Sequence, residues 1–106
     1  MDMNSIMAQA QQMQQKMATI QEELKTKTAT GTAGGGMVTV TANGKSEILS
    51  IEIEKEIITV DEKEMLQDLI TAATNDALRK VKAIGKEEMA KLTGGMNIPG
   101  ISNIFS

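Results

Sequence analysis

MVTVTANGKSEILSIEI, residues 37–53, is the stretch on which the fold turns. Val38, Val40 and Ala42 alternate with Thr39 and Thr41, and Leu49, Ile51 and Ile53 alternate with Ser50 and Glu52. That is the period-two pattern of strands with one apolar face. Between the runs stands Asn43-Gly44, favoured in two-residue type I′ turns because both central positions take φ > 0. The spacing predicts strands over 37–42 and 46–53 joined by a tight hairpin. Just upstream, TATGTAGGG (28–36) sets β-branched residues before three glycines. A further strand is expected over 28–32, with Gly34 to Gly36 as a flexible connection. Three antiparallel strands with a shared apolar face make a core once helices cover that face.

Helical patterns flank the strands. From Asn4 to Lys27 there is no Gly or Pro, and apolar residues fall at Ile6, Ala10, Met13, Met17, Ile20 and Leu24. These steps of four and three trace a narrow heptad stripe, suited to packing along another helix within the chain or in a dimer. Twenty-four residues would form a rod of ~36 Å, long enough to project from so small a body. Asp61, with Glu64 three residues on, resembles a capping box opening a second helix that runs to about Thr93. Its stripe of Leu66, Ile70, Ala73, Ala77, Val81 and Ile84 lies within ~80° of arc. Gly94-Gly95 is expected to end it, leaving 94–106 (GGMNIPGISNIFS) as a flexible or docking tail. The expected fold is a single α+β domain over 1–106: long helix, three-stranded antiparallel sheet, long helix.

The chain has 106 residues, one aromatic (Phe105), nine Met and no Cys or His. A small core filled with Met rather than rings specifies its packing weakly and favours self-association. No apolar run reaches the ~18 residues that span a bilayer, and the N-terminus lacks the basic and apolar regions of a signal peptide. The expected location is the cytoplasm. Net charge is −3 but segregated: residues 45–68 hold three Lys against eight acids, whereas 79–92 hold five basic residues against two.

Several motifs point nowhere chemical. Gly44-Lys45-Ser46 ends like a phosphate loop, yet Thr39 occupies the position of the required first Gly and a strand follows where a helix is needed. The Gly34 to Gly36 run holds no fixed anion nest by itself. Glu52 and Glu54 share a strand face within an acidic segment of Glu47, Glu56, Asp61, Glu62 and Glu64, without His, Cys or EF-hand spacing; a solvated acidic face accounts for them. Neither a base that titrates near neutrality nor a thiol is present, so catalysis, a metal and a cofactor are not expected.

The last helix carries the polar signal of interest. Arg79, Lys82 and Lys86 fall within ~60° of one another, with Asn75, opposite the apolar stripe. Such a face suits a phosphate backbone; it also suits a solvated helix end favoured by the macrodipole. Lys16, Lys25 and Lys27 on the first helix could add to it, diluted by Glu22 and Glu23.

The chain resembles the YbaB/EbfC family of bacterial nucleoid-associated proteins over nearly its whole length. The residues that carry the likeness are Ala8-Gln9-Ala10-Gln11-Gln12-Met13-Gln14-Gln15-Lys16-Met17, the turn at Gly34 to Gly36, Asn43-Gly44, Asn75-Asp76-Ala77, Gly94-Gly95-Met96 and Pro99-Gly100. The resemblance implies a tweezers-shaped homodimer with a shared central sheet and projecting helices. It also implies duplex DNA as partner, without catalysis, and a place on the nucleoid. The expected DNA-binding residues are Arg79, Lys82, Lys86, Lys16, Lys25 and Lys27; no membrane or small-molecule partner is expected. The absence of aromatics among the basic residues argues against single-strand stacking, and no helix-turn-helix or zinc-finger signature is present. The competing reading is a protein–protein adaptor built on the heptad helix and the apolar tail.

Overall fold

A computed structural model describes residues 2–92. Helix α1 (Met3–Thr26) leads into strands β1 (Thr28–Ala33), β2 (Val38–Asn43) and β3 (Ile48–Ile53); two 3-10 turns (Lys55–Ile57, Val60–Glu62) then deliver the chain to helix α2 (Lys63–Leu92). The strands form an antiparallel sheet in the order β1-β2-β3, as the alternation requires. The expected end of the last helix at Gly94-Gly95 and the tail 94–106 lie outside the described residues.

The core lies between α2 and one face of β1 and β2. Val38, Val40 and Ala42 point inward from β2 and meet Ala73, Ala77 and Val81 of α2. Burial of Val38, Val40 and Val81 contributes about 1.5–3 kcal/mol each. The outward face alternates as expected: Thr30 pairs with Thr41 and Thr32 with Thr39. Gly31 decides how close the layers come. A Cβ there would lie 2.2 Å from Ala77 N and 2.3 Å from Ala73 O, so the helix backbone rests directly on the strand.

The hairpin differs from the expected type I′ turn. Asn43 and Gly44 do not take positive φ; Ser46 does, at 61°. The loop has three residues, closed by Ser46 N–H donating to Asn43 O and by Asn43 N–H donating to Glu47 O. This is the type I turn followed by a left-handed residue. The side chain of Asn43 organises it, accepting from the N–H groups of Lys45 and Glu47. Gly44 serves packing instead: its N–H donates to Leu24 O and Lys27 O, both at 2.8 Å. A Cβ on Gly44 would meet Leu24 O at 2.8 Å. The glycine run 34–36 is a defined turn with φ of 65°, 67° and 93°.

Two further expectations change. Asp61 lies inside the second 3-10 turn rather than ahead of α2, which begins at Lys63, so the capping box at Asp61 and Glu64 is not the helix start. Asp2, by contrast, caps α1 by accepting from Ser5 N–H at 2.8 Å. Among the described residues one helix, α2, covers the sheet, and it lies over β1 and β2. Thus Ile51, opposite the buried Val40, remains 46% exposed at the edge. A register irregularity at Thr41/Ala42, with Ala42 opposite Ile48 and Thr41 opposite Ser50, leaves Leu49 unpaired.

Among the described residues, helix α1 is anchored only toward its C-terminal end. Ile20 and Leu24 are buried, whereas Ile6, Met13 and Met17 of the same stripe are exposed. The projecting rod expected from its length is present, and the molecule extends 69 × 26 × 16 Å.

Substitution of Gly31 by Ala is expected to destabilise the fold by about 3 kcal/mol, because the new methyl cannot fit without parting helix and strand. Ala at Gly85, a helical position with open space around it, is expected to stabilise by up to about 1 kcal/mol. Urea unfolding of the two variants measures both.

Candidate nucleic-acid interface

The packing of α2 determines which of its side chains face outward. Ala73, Ala77 and Val81 are buried against the sheet. At 100° per residue, Asn75, Arg79, Lys82 and Lys86 fall on the opposite side, and all four are exposed. The last three span about 10 Å along the axis. Lys82 and Lys86 make no ion pair among the described residues. Arg79 has one, to Asp76 at 3.4 Å, with its side chain 71% exposed. A pair that exposed and that long is weak and leaves the guanidinium open to a competing anion.

Asp76 and Lys80 have other work. Asp76 Oδ2 accepts from Thr32 N–H at 3.1 Å, and Lys80 Nζ donates to Thr30 O at 2.8 Å. These are outward-facing backbone groups of β1, so the two side chains occupy part of the free edge of that strand. Asp76 also pairs with Lys80 at 3.4 Å. The Thr32 N–H bond, aided by Lys80, holds the Asp76 carboxyl below the usual carboxylate range.

On α1 the expected residues part company. Lys16 and Lys25, nine positions apart, point to nearly opposite sides of the helix. Lys16 lines the groove toward α2. Lys25 pairs with Glu22 at 3.3 Å. Lys27 bonds to the buried carboxylate of Glu88, which also accepts from Lys91 at 3.0 Å. The Lys27 bond, then that of Lys91, holds the Glu88 carboxyl below its usual range, and Glu88 in turn raises Lys27. The charge of Lys27 is therefore engaged within the fold. The structure gathers Arg79, Lys82 and Lys86 on one surface and does not bring Lys16, Lys25 and Lys27 onto it.

The roles of Asp76, Lys80 and Glu88 escaped the sequence reading. Asp76, Arg79 and Lys80 stand at i, i+3 and i+4, a helical spacing that signals a paired cluster. No local spacing signals the contact from Lys27 to Glu88, 61 residues apart.

The acid-base behaviour of the Lys27–Glu88 clamp fixes a sign. With Glu88 depressed in the folded state, its contribution to stability is complete at neutral pH and is lost as pH falls below its ordinary value of 4.5 toward the lowered one. With Lys27 raised, the contribution of the pair is lost again only as pH climbs above 10.5. Glu88→Gln is expected to be less stable than the parent between about pH 5 and pH 10, with the gap narrowing in acid. Thermal melts across pH test this.

A family model described as the YbaB/EbfC DNA-binding family matches residues 1–96. A nucleoid-associated protein of Desulfotalea psychrophila is 59% identical over 106 residues, covering both chains fully. A nucleoid-associated protein of Clostridium novyi is 54% identical over 101 residues, covering 95% of this chain and 89% of its own. The crystal structure of an uncharacterized protein from Helicobacter pylori superposes with a TM-score of 0.73 at 27% identity, covering 91% of this chain and 97% of that one.

Proposed function

The chain belongs to the YbaB/EbfC DNA-binding family, and on that premise we propose that it works as a homodimer on the bacterial nucleoid, binding duplex DNA mainly through backbone phosphates. The observation that carries this reading is the outer face of α2, where Arg79, Lys82 and Lys86 stand exposed on the side away from the sheet. Lys and Arg in this setting displace condensed counterions from DNA and bind with little regard to sequence. The acidic residues of the middle segment would be repelled by the same polyanion and belong on a surface turned away from it. The role is nucleoid organisation and gene regulation by binding, without chemistry, in the cytoplasm.

The proposed dimer draws support from the uneven edges of the sheet. β1 has two of its outward groups, Thr32 N–H and Thr30 O, taken by Asp76 and Lys80. β3 is the other edge, and Ile48, Leu49 and Ile51 are exposed on it, with Ile58 and Val60 in the turns that follow. An open strand edge with apolar side chains is a template for another strand. A second copy set against β3 would continue the sheet and bury those residues, and each basic helix would then occur twice. Two weak phosphate-binding faces held by one body act at high effective concentration.

Titration of labelled duplex at two salt concentrations is expected to show log affinity falling by ~0.9 per phosphate contacted for each unit of log salt. Reversal of Arg79, Lys82 and Lys86 to Glu is expected to abolish binding with the fold intact. The same reversal at Lys45, Lys55 and Lys63 should leave most of it. Equal losses from both would mean that net charge governs retention rather than a located face.

Sedimentation equilibrium is expected to give twice the monomer mass. Ile51→Asp is expected to shift the protein toward monomer, because an unpaired charge would be placed in the joined edge. An unchanged dimer would move the interface away from β3.

A further inference from the structure

The outer face of α2 carries more than its basic end. Glu64, Asp68, Asn75, Arg79, Lys82 and Lys86 are all exposed and fall within ~60° of arc, on the side away from the sheet. Thr71, also exposed, lies at the margin of the same face. From Glu64 the steps are four, three, four, four, three and four, so the spacing of this ridge is the same in both directions from Asn75. Its charges are not. Both acids precede Asn75 and all three bases follow it, along ~33 Å of helix. Glu64, Asp68, Lys82 and Lys86 make no ion pair among the described residues. The helix macrodipole does not call for this arrangement, because its influence fades within the terminal turn. α2 ends at Leu92, so Arg79 and Lys82 stand more than two turns inside it.

Two such ridges laid antiparallel, with a two-fold axis at Asn75, set each residue opposite the one equally far on the other side. Asp68, seven residues before Asn75, meets Lys82, seven after it. Glu64 meets Lys86, eleven residues away on either side, and Thr71 meets Arg79. A parallel alignment would set base on base and acid on acid, which repels. The middle of the ridge holds Thr71 and Asn75 with Ala72 beside them, side chains small enough for two helices to come close.

We propose that the outer face of α2 is a self-association surface, and that its partner is the same face of a second copy of this chain, antiparallel. Such a contact is self-complementary, as two-fold symmetry requires. Each of its acid–base pairs is exposed and weak alone, so the contact is transient and fades as salt rises. It covers Arg79, Lys82 and Lys86, so a paired face cannot hold a duplex. That competition rests on the DNA reading above; the pairing rests on α2 alone. The surface is separate from the β3 edge.

Sedimentation velocity of the full chain without DNA tests the pairing. At low salt the parent is expected to form species larger than those at high salt. Glu64→Lys/Asp68→Lys and Lys82→Glu/Lys86→Glu are each expected to weaken the low-salt association about tenfold or more. An equimolar mixture of the two is expected to recover it, because a basic face then meets an acidic one. Exchanging all four charges in one chain is expected to recover it as well, since the two-fold match is kept. The chain has no Cys. Asn75→Cys therefore places a lone thiol on the axis, and mild oxidation at low salt is expected to link it to its copy. Ala83→Cys is expected not to link, because antiparallel copies hold these positions ~24 Å apart, far beyond the ~7 Å that a disulfide spans. A parent of the same size at both salts, association that neither reversal weakens, or no recovery on mixing would overturn the proposal. So would Ala83→Cys linking as readily as Asn75→Cys. Glu64→Lys/Asp68→Lys keeps Arg79, Lys82 and Lys86 and is expected to bind labelled duplex at least as tightly as the parent. Failure of the parent to bind duplex would strike the DNA reading and not the pairing, which the charge exchanges decide.

Discussion

The arrangement of this molecule depends on one close approach, the backbone of α2 at Ala73 and Ala77 resting on Gly31 of β1. No side chain separates helix and strand there, so the small residues Ala73 and Ala77 meet Val38, Val40 and Val81 at the centre of the core, with larger residues such as Ile57, Leu66 and Ile70 around them. The same closeness brings Asp76 and Lys80 within reach of the Thr32 N–H and Thr30 carbonyl. It also fixes the rotation of the helix, and with it the outward aim of Arg79, Lys82 and Lys86 on the opposite face.

The second attachment is that of α1, and its character differs. Gly44 takes Leu24 against the hairpin, while Lys27 and Lys91 converge on the buried Glu88. One joint is steric and demands a glycine; the other is ionic and demands a carboxylate. Both act on the last turns of α1, so the helix behaves as a lever held at one end. Lys16, far out on that lever, sits on the groove side, and Lys25 faces away near the joint. This explains why the basic residues of α1 do not add to the α2 surface, although their positions in the chain make them look equivalent.

Much of this was legible in the residues. The alternation of Val38, Val40 and Ala42 and the stripe of α2 each follow from a local period that burial enforces, and the heptad steps of α1 announce its helix, although burial reaches only Ile20 and Leu24. The opposition of Arg79, Lys82 and Lys86 to that stripe was legible for the same reason. What escaped depends on contacts between distant segments. Asn43-Gly44 looked like a two-residue turn because the dipeptide suits one, but Gly44 is committed to the end of α1, and the left-handed residue is Ser46. The exposure of Ile51 and the neutralisation of Lys27 likewise depend on where α2 lies, which no spacing within β3 or α1 reveals.

The closure of β1 by Asp76 and Lys80 gives lateral strand addition a valence. In the proposed pairing, each copy presents one open side at β3 and one side at β1 that Asp76 and Lys80 partly occupy, so two copies joined at β3 would leave only the occupied sides outward. Chain growth needs a valence of two, and this fold has it only if α2 lifts from the strand and takes its carboxylate and ammonium along. The Thr32 N–H bond, aided by Lys80, favours the ionised form of the Asp76 carboxyl. In the proposed pairing, termination is then a property of helix docking, and the contact that makes the core would also limit the size of what the core can build.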